Sequence, residues 1–175
     1  MNNQRVYFEK LSSKRTEALF VALTLLFALL FAWQARTALS SLCSLVFLTG
    51  FVAFLFYTLN YRVLVIRLDE ENLRLKFGIF TWTVPLDNIE SCAPDMTSLW
   101  RIGGAGIHFT SLGGRYRAMF NFLEHPRVVL ALKTPKGPVR DIAFSTRNPG
   151  EVKRLIAQSP KFQSIVEIAE GKSPA

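Results

Sequence analysis

The sequence predicts an α+β membrane protein in which a two-helix transmembrane hairpin precedes a small antiparallel β domain with one C-terminal helix. Two observations lead to this prediction. Between Ala18 and Tyr61 the only charged residue is Arg36. After Tyr61, apolar and polar residues alternate in short runs that are separated by turns. The first pattern is typical of membrane helices, and the second is typical of strands.

The apolar block is long enough to cross a bilayer twice. About 20 helical residues, at about 1.5 Å each, span a hydrocarbon core of about 30 Å, so one continuous helix would be about twice too long. The sequence turns polar for one helical turn at residues 34–37. We therefore expect a transmembrane hairpin over residues 18–61, with antiparallel helices at about 18–35 and 38–59.

The distribution of basic residues predicts the orientation of this hairpin. The loop between the helices contains only Arg36, whereas the flanking segments contain Arg5, Lys10, Lys14, Arg15, Arg62 and Arg67. Because cytoplasmic flanks carry the excess of Lys and Arg, both termini should be cytoplasmic and the protein should be a multi-pass protein of the cell membrane. Residues 1–17 would form a cytoplasmic arm. Aromatic residues at the ends of the spans, namely Trp33, Tyr57 and Tyr61, should lie at the headgroup level.

Other interpretations of the apolar block fit less well. A secretory signal also begins with basic residues, but here a second apolar run follows at once, and the region around Trp33 is a weak cleavage site. No Asp, Glu, Lys or His lies inside either span, which argues against a transporter or channel acting alone. Small residues at Thr49, Gly50 and Ala53 would let the helices approach closely, although such residues are common in membrane helices.

Residues 62–159 read as one domain of short strands followed by a helix. Strands are expected at residues 63–68, 73–77, 80–86, 107–109, 116–122, 127–133 and 139–144, forming a small barrel or a pair of sheets. Residues 89–106 lack a regular period and are expected to form a long loop. Asn148 as N-cap, followed by Pro149, predicts the start of the capping helix. Residues 160–175 form a C-terminal tail.

Three short motifs in this order resemble a known family. They are residues 74–80 (RLKFGIF), residues 84–89 (VPLDNI) and residues 143–152 (AFSTRNPGEV). With the paired spans in front, the chain resembles the bacterial and archaeal membrane proteins in which two transmembrane helices precede a pleckstrin-homology-type (PH-like) β-barrel. The resemblance implies a membrane-anchored binding or scaffolding module at the cytoplasmic face, without catalysis or cofactor. Its implied partners are membrane lipids, with another membrane protein or a second copy of this chain as further candidates.

The sequence offers two candidate binding sites. A glycine-rich, basic region contains Trp100, Arg101, Arg115 and Arg117, and two arginines one residue apart on a strand could bracket a phosphate or carboxylate. Flexible turns with solvated arginines would give the same pattern. The resemblance implies the second site, because eukaryotic relatives of the fold bind phosphoinositides with basic residues on the first two strands. Here Arg67, Arg74 and Lys76 stand in comparable places, although an acidic turn lies between them.

The sequence gives little support for metal binding, catalysis or nucleotide binding. His108 and His125 lack the neighbours that a metal site or a catalytic centre needs, and no Gly-rich segment has the spacing of a dinucleotide-binding motif. Cys43 and Cys92 are expected to be reduced thiols on different sides of the lipid boundary. We expect no metal, no enzyme activity and no nucleic-acid partner. The alternative function is that of an accessory or regulatory subunit of a larger membrane complex, docked through the hairpin.

Overall fold

The computed structural model describes residues 7–38 and 41–159. Its helices are α1 (Lys14–Ala38), α2 (Leu42–Asn60), α3 (Leu99–Ile102) and α4 (Pro149–Gln158), with a 3₁₀ turn at Leu86–Asn88. Its strands are β1 (Tyr7–Ser12), β2 (Val63–Leu68), β3 (Asn72–Phe77), β4 (Phe80–Pro85), β5 (Ile89–Pro94), β6 (Gly106–Leu112), β7 (Arg115–Asn121), β8 (Arg127–Lys136) and β9 (Val139–Ser145). The protein is therefore α+β, with two apolar helices and two sheets.

Helices α1 and α2 form an antiparallel pair that is long and apolar enough to cross a membrane, by length and composition. The pair is closely packed in its middle, where the Phe27 ring fills the space that a Cβ at Gly50 would need. The hydroxyls of Thr24 and Thr58 lie 3.0 Å apart across the same interface. Gly50 thus lets α1 and α2 approach closely, as the small residues in the sequence suggested.

The turn between the helices lies later in the chain than the polar residues suggested. Helix α1 continues through Ala38, and α2 begins at Leu42 after the N-cap Ser41, whose hydroxyl accepts a hydrogen bond from the Ser44 amide at 3.2 Å. Gln34 donates to the Ser41 hydroxyl at 3.1 Å, so polar groups of both helices meet at this end. The polar residues at 34–37 therefore belong to the last turns of α1 and do not mark its end; one of them, Gln34, links α1 to the start of α2.

The N-terminal arm contains a strand that the sequence analysis missed. Strand β1 pairs antiparallel with β2, from Tyr7 opposite Leu68 to Ser12 opposite Val63. Buried Glu9 secures the strand, because its carboxylate accepts hydrogen bonds from the Thr146 hydroxyl at 2.6 Å and the Arg147 amide at 2.9 Å. The Tyr7–Ser12 part of the arm is therefore part of the β domain.

Strand β1 leads into α1 through Ser13, and α2 leads into β2 through Tyr61 and Arg62. The two helices thus extend from two hydrogen-bonded neighbouring strands. A short connection at both attachments leaves little freedom for the helix pair to pivot on the sheet.

The first sheet has the order β1-β2-β3-β4 and is antiparallel throughout. The alternation in β2 and β3 appears as expected: the inward side chains are buried and the outward ones are half-buried or exposed. Gly78 makes the turn after β3 with φ of 61°, and a Cβ there would lie 2.3 Å from the carbonyl oxygen of Asn60. Only glycine therefore lets the first sheet approach the end of α2 this closely.

The second sheet has the order β5-β8-β9-β7-β6 and corrects two expectations. The β7–β9 pair is parallel, so the domain is not purely antiparallel. The expected loop at residues 89–106 instead contains strand β5, which pairs with β8, and the short helix α3. Strand β5 is an edge strand with a register shift between Ile89 and Ser91, so its side chains do not follow the two-residue period that would have revealed it.

The inner faces of both sheets share one hydrophobic core, but the sheets stay separate and do not close into a barrel. Phe77 of the first sheet contacts Phe122 at the end of β7, with ring centroids 5.0 Å apart. Helix α4 starts at the expected residues and buries Val152 and Ile156, although Asn148 makes no side-chain capping bond. The predicted tail at residues 160–175 lies outside the described residues.

Candidate functional sites

Aromatic side chains join the helix pair to the β domain. Phe20 of α1, Tyr57 of α2 and Tyr61 converge on Gly106, where a Cβ would lie 3.6 Å from each of them. Phe20 and Tyr61 are buried in the common core, and the Tyr57 and Tyr61 rings lie 4.7 Å apart. The Tyr61 ring therefore packs in the protein interior and does not face lipid, while its depth at the headgroup level stays a prediction.

Polar contacts hold the start of α1 against the second sheet. The Ser13 hydroxyl accepts from the Thr16 amide at 3.0 Å, as an N-cap does, and the Thr16 hydroxyl accepts from the Leu123 amide at 3.1 Å. Ser13 and Thr16 are both buried. With the β1–β2 pairing, these contacts attach the base of the helix pair to both sheets.

A cleft of about 630 Å³ opens where the helix pair meets the outer face of the first sheet. We call it the junction cleft. Its lining residues come from the start of α1, the end of α2 and the strands β1 to β3: Ser12, Glu17, Leu59, Asn60, Arg62, Val63, Val65, Arg67, Lys76 and Gly78. Its apolar lining residues are Leu59, which is two-thirds exposed, and Val63 and Val65 of β2, whereas Arg67 and Lys76 of the same sheet supply cations.

The charges in the junction cleft are unbalanced. Among the described residues that line the cleft, Glu17 is the only carboxylate, and it already pairs with Arg62 at 2.6 Å. Arg67 and Lys76 project from the outer face, and neither forms an ion pair within residues 7–38 and 41–159. The Arg67 guanidinium lies over the Phe8 ring, 5.5 Å from its centroid, which orients the group without neutralising it. Two cations thus remain available to an anion.

The structure divides the second candidate site of the sequence analysis. Arg67 and Lys76 line the junction cleft, whereas Arg74 lies outside it and approaches Asp69 at 3.9 Å. The sequence could not reveal Arg62, Glu17 and Asn60 as further cleft residues, since they belong to the helix ends that the fold brings beside the sheet.

The arginines of the first candidate site lie in an ion-pair network on the second sheet. Arg115 donates to Asp141 at 2.8 Å, and Arg117 lies 3.3 Å from Asp141 and 3.5 Å from Asp95. Arg127 donates to Asp95 at 3.0 Å. The two neighbouring arginines do share a region, as expected, but carboxylates already contact both guanidinium groups. Their role in ligand binding stays a prediction.

Asp95 is the buried centre of this network, and the network fixes the segment that leads to α3. Burial by itself raises the pKa of Asp95, but hydrogen bonds from Thr97 and Arg127 outweigh burial and hold the pKa below its usual range. Arg127 also donates to the Thr97 carbonyl. The other two predicted residues, Trp100 and Arg101, lie on α3 and point outward; Trp100 is 97% exposed.

The histidines and the cysteine of the β domain have structural surroundings. A ring nitrogen of His108 bonds to the Ile102 carbonyl, and burial lowers the His108 pKa despite that contact. His125 bonds to the Ser12 carbonyl at 2.9 Å. Burial raises the pKa of Cys92 to about 11, so its thiol stays protonated at neutral pH. Within the part of the chain that the structure describes, no three His, Cys, Asp or Glu residues are grouped to hold a metal ion.

Comparison of the chain with protein families, with curated proteins and with solved structures found no match in any of the three.

Proposed function

We propose that this protein is a membrane-anchored binding or scaffolding module without catalysis of its own, whose β domain is held at the cytoplasmic face of the cell membrane by the α1–α2 pair. The observation that carries the proposal is the exposure of the helices. Only 11% and 6% of their most apolar windows are buried inside the protein. A core helix of a soluble protein would be mostly buried, and a large apolar surface in water promotes aggregation. Lipid is the surrounding that fits these two helices.

The attachment of the helices supports a positioning role. Both helices continue from paired strands, and the aromatic cluster around Gly106 fills the joint. A domain anchored in this way keeps a defined face toward the bilayer. Its effective concentration for membrane lipids and membrane proteins is thereby raised.

We further propose that the β domain is PH-like. Two sheets around one core, with a C-terminal helix that buries an apolar stripe, support this assignment. The separate sheets and the parallel β7–β9 pair depart from a closed antiparallel barrel. The assignment therefore rests on the arrangement of layers together with the motif resemblance.

One observation favours the alternative function of an accessory subunit. The exposed face of α2 has an apolar groove of about 610 Å³ lined by Leu48, Thr49, Val52, Ala53, Phe56 and Tyr57. Small side chains inside such a groove would admit a helix of another membrane protein or of a second copy. Lipid chains fill the same groove under the scaffold proposal, and purification in mild detergent distinguishes the two by whether a protein partner is retained.

The orientation can be tested by labelling single cysteines with a membrane-impermeant maleimide. In a chain with Cys43→Ser and Cys92→Ala, we expect Arg36→Cys to be labelled in intact cells and Arg101→Cys only in inside-out vesicles, because both positions are exposed and should face opposite sides. The Arg36→Cys variant is the control for labelling at the outer face. Labelling of Arg101→Cys in intact cells would contradict the proposed orientation.

A further inference from the structure

We infer that the junction cleft binds the phosphate of an anionic lipid headgroup, taken from the leaflet that the β domain faces. The inference rests on the proposed membrane anchoring and adds a ligand class and a site to it. Its basis is that one cleft combines apolar lining residues, two cations without an ion-pair partner among the described residues, and the end of a membrane-length helix.

The position of the cleft follows from helix length. Helix α2 has 19 residues, which corresponds to about 28 Å at about 1.5 Å per residue, close to the thickness of a hydrocarbon core. If α2 crosses the bilayer, its last residue Asn60 lies where hydrocarbon gives way to headgroups. Asn60 and the neighbouring Leu59 line the cleft, so the cleft opens at the depth of the lipid phosphates.

The lining of the cleft matches the two parts of a phospholipid. Acyl chains can follow the exposed apolar face of α2, on which Val52 and Leu59 are 56% and 66% exposed. Leu59 belongs both to that face and to the cleft, whose other apolar lining residues are Val63 and Val65. A headgroup attached to these chains enters the cleft beside Arg67 and Lys76. One lipid would therefore contact the apolar lining with its chains and the cations with its phosphate.

The electrostatics favour an anion over a zwitterion. Arg67 and Lys76 have no carboxylate partner within the described residues, and the pairing of Glu17 with Arg62 removes that carboxylate as a competitor for the phosphate. Arg67 can donate two parallel hydrogen bonds to a phosphate, and Lys76 supplies a point charge. A choline headgroup would bring its own cation toward these side chains and lose part of the attraction.

The test uses the full chain in neutral detergent and short-chain dioctanoyl phosphatidylglycerol, with binding followed by native mass spectrometry. We expect saturable binding of one lipid, with the Arg67→Gln/Lys76→Gln double variant weakened about tenfold or more through the loss of two charge-assisted contacts. Dioctanoyl phosphatidylcholine should bind more weakly than phosphatidylglycerol to the wild-type chain. Both substituted residues lie on the exposed outer face, so the variant should keep the wild-type melting temperature.

The matched control is Arg140→Gln/Lys153→Gln, which removes one arginine and one lysine charge from exposed positions on β9 and α4, away from the cleft. We expect it to change the affinity by less than about twofold, since distant exposed charges are screened. Equal weakening by both double variants would show diffuse attraction and overturn the inference, as would unchanged binding by the cleft variant. Inorganic phosphate that binds as tightly as the lipid would overturn it in favour of a soluble anion. Alkaline carbonate extraction reports membrane anchoring separately from all of these outcomes.

Discussion

Gly78→Ala is expected to destabilise the protein far more than Gly137→Ala, although both glycines have φ near 60°. A Cβ at position 137 meets nothing within 4 Å, so that variant should lose about 1 kcal/mol of unfolding free energy from backbone strain alone. At position 78 the Cβ would lie 2.3 Å from the Asn60 carbonyl oxygen, and backbone must move. We expect a loss of about 3 kcal/mol or more, because strain and steric overlap act together.

Thermal unfolding of the full chain in mild detergent, followed by circular dichroism, measures this difference. For a chain of this size, 1 kcal/mol corresponds to a shift of about 2–4 °C in the melting temperature, so Gly78→Ala should melt about 6–12 °C below the wild type. Similar shifts for both glycine variants would show that α2 does not lie tightly against the first sheet. That result would contradict the close contact between Gly78 and the Asn60 carbonyl at the end of α2.

Asp95→Asn is expected to cost about 3 kcal/mol of unfolding free energy at neutral pH, because it leaves Arg127, which is 9% exposed, without its countercharge. The pKa of Asp95 is lower in the folded protein than its ordinary value of about 3.9, so the stabilisation is present above that value. It is lost as the pH falls through the lower folded-state pKa. The melting temperatures of wild type and variant should therefore converge in acid.

The measurement compares melting temperatures of the two proteins from neutral pH down to about pH 3, a range that extends below the ordinary carboxyl pKa. Glu90→Gln is the control, since Glu90 is an exposed carboxylate on β5. Tryptic cleavage after Arg101 gives a second readout, because release of the Asp95 segment should let the already exposed helix α3 unfold locally into the extended form that a protease cleaves. A variant that melts like the wild type at neutral pH, with unchanged cleavage, would show that the network is dispensable.

The sequence predicts elements well where one local pattern decides the structure. The β2–β3 hairpin follows from alternating side chains around a polar turn, and both apolar helices follow from uncharged length. Helix α4 likewise begins where Asn148 and Pro149 indicate.

Elements that depend on distant partners were missed. Strand β1 is held by Glu9, which accepts hydrogen bonds from Thr146 and Arg147, more than a hundred residues away. No local pattern shows that an acidic residue near the N-terminus will be buried. Edge strand β5 has a register shift and few buried side chains, so its sequence resembles a loop.

The candidate sites were predicted only in part, because they too depend on residues that are distant in the sequence. Basic side chains on β2 and β3 can be read from the strand period, but the cleft that gives Arg67 and Lys76 a common space forms only when the helix ends lie beside the sheet. The aspartates that contact Arg115 and Arg117 come from β9 and from the segment after β5. Their pairing is a property of the tertiary fold, and the sequence alone presented these arginines as free.

The account depends most on lipid as the surrounding of the α1–α2 pair. Alkaline carbonate extraction of membranes that contain the full chain tests this directly, together with a Leu45→Asp/Val52→Asp variant. Both side chains point outward on α2, with 61% and 56% exposure. In lipid, the charge at position 52 near the middle of α2 should oppose insertion by about 3 kcal/mol and the charge at position 45 near its start by less, whereas in water both should improve solubility. We predict that the wild-type chain stays in the membrane pellet and that the variant is released or fails to insert. Recovery of the wild-type chain in the supernatant, with a variant that is merely more soluble, would contradict the account.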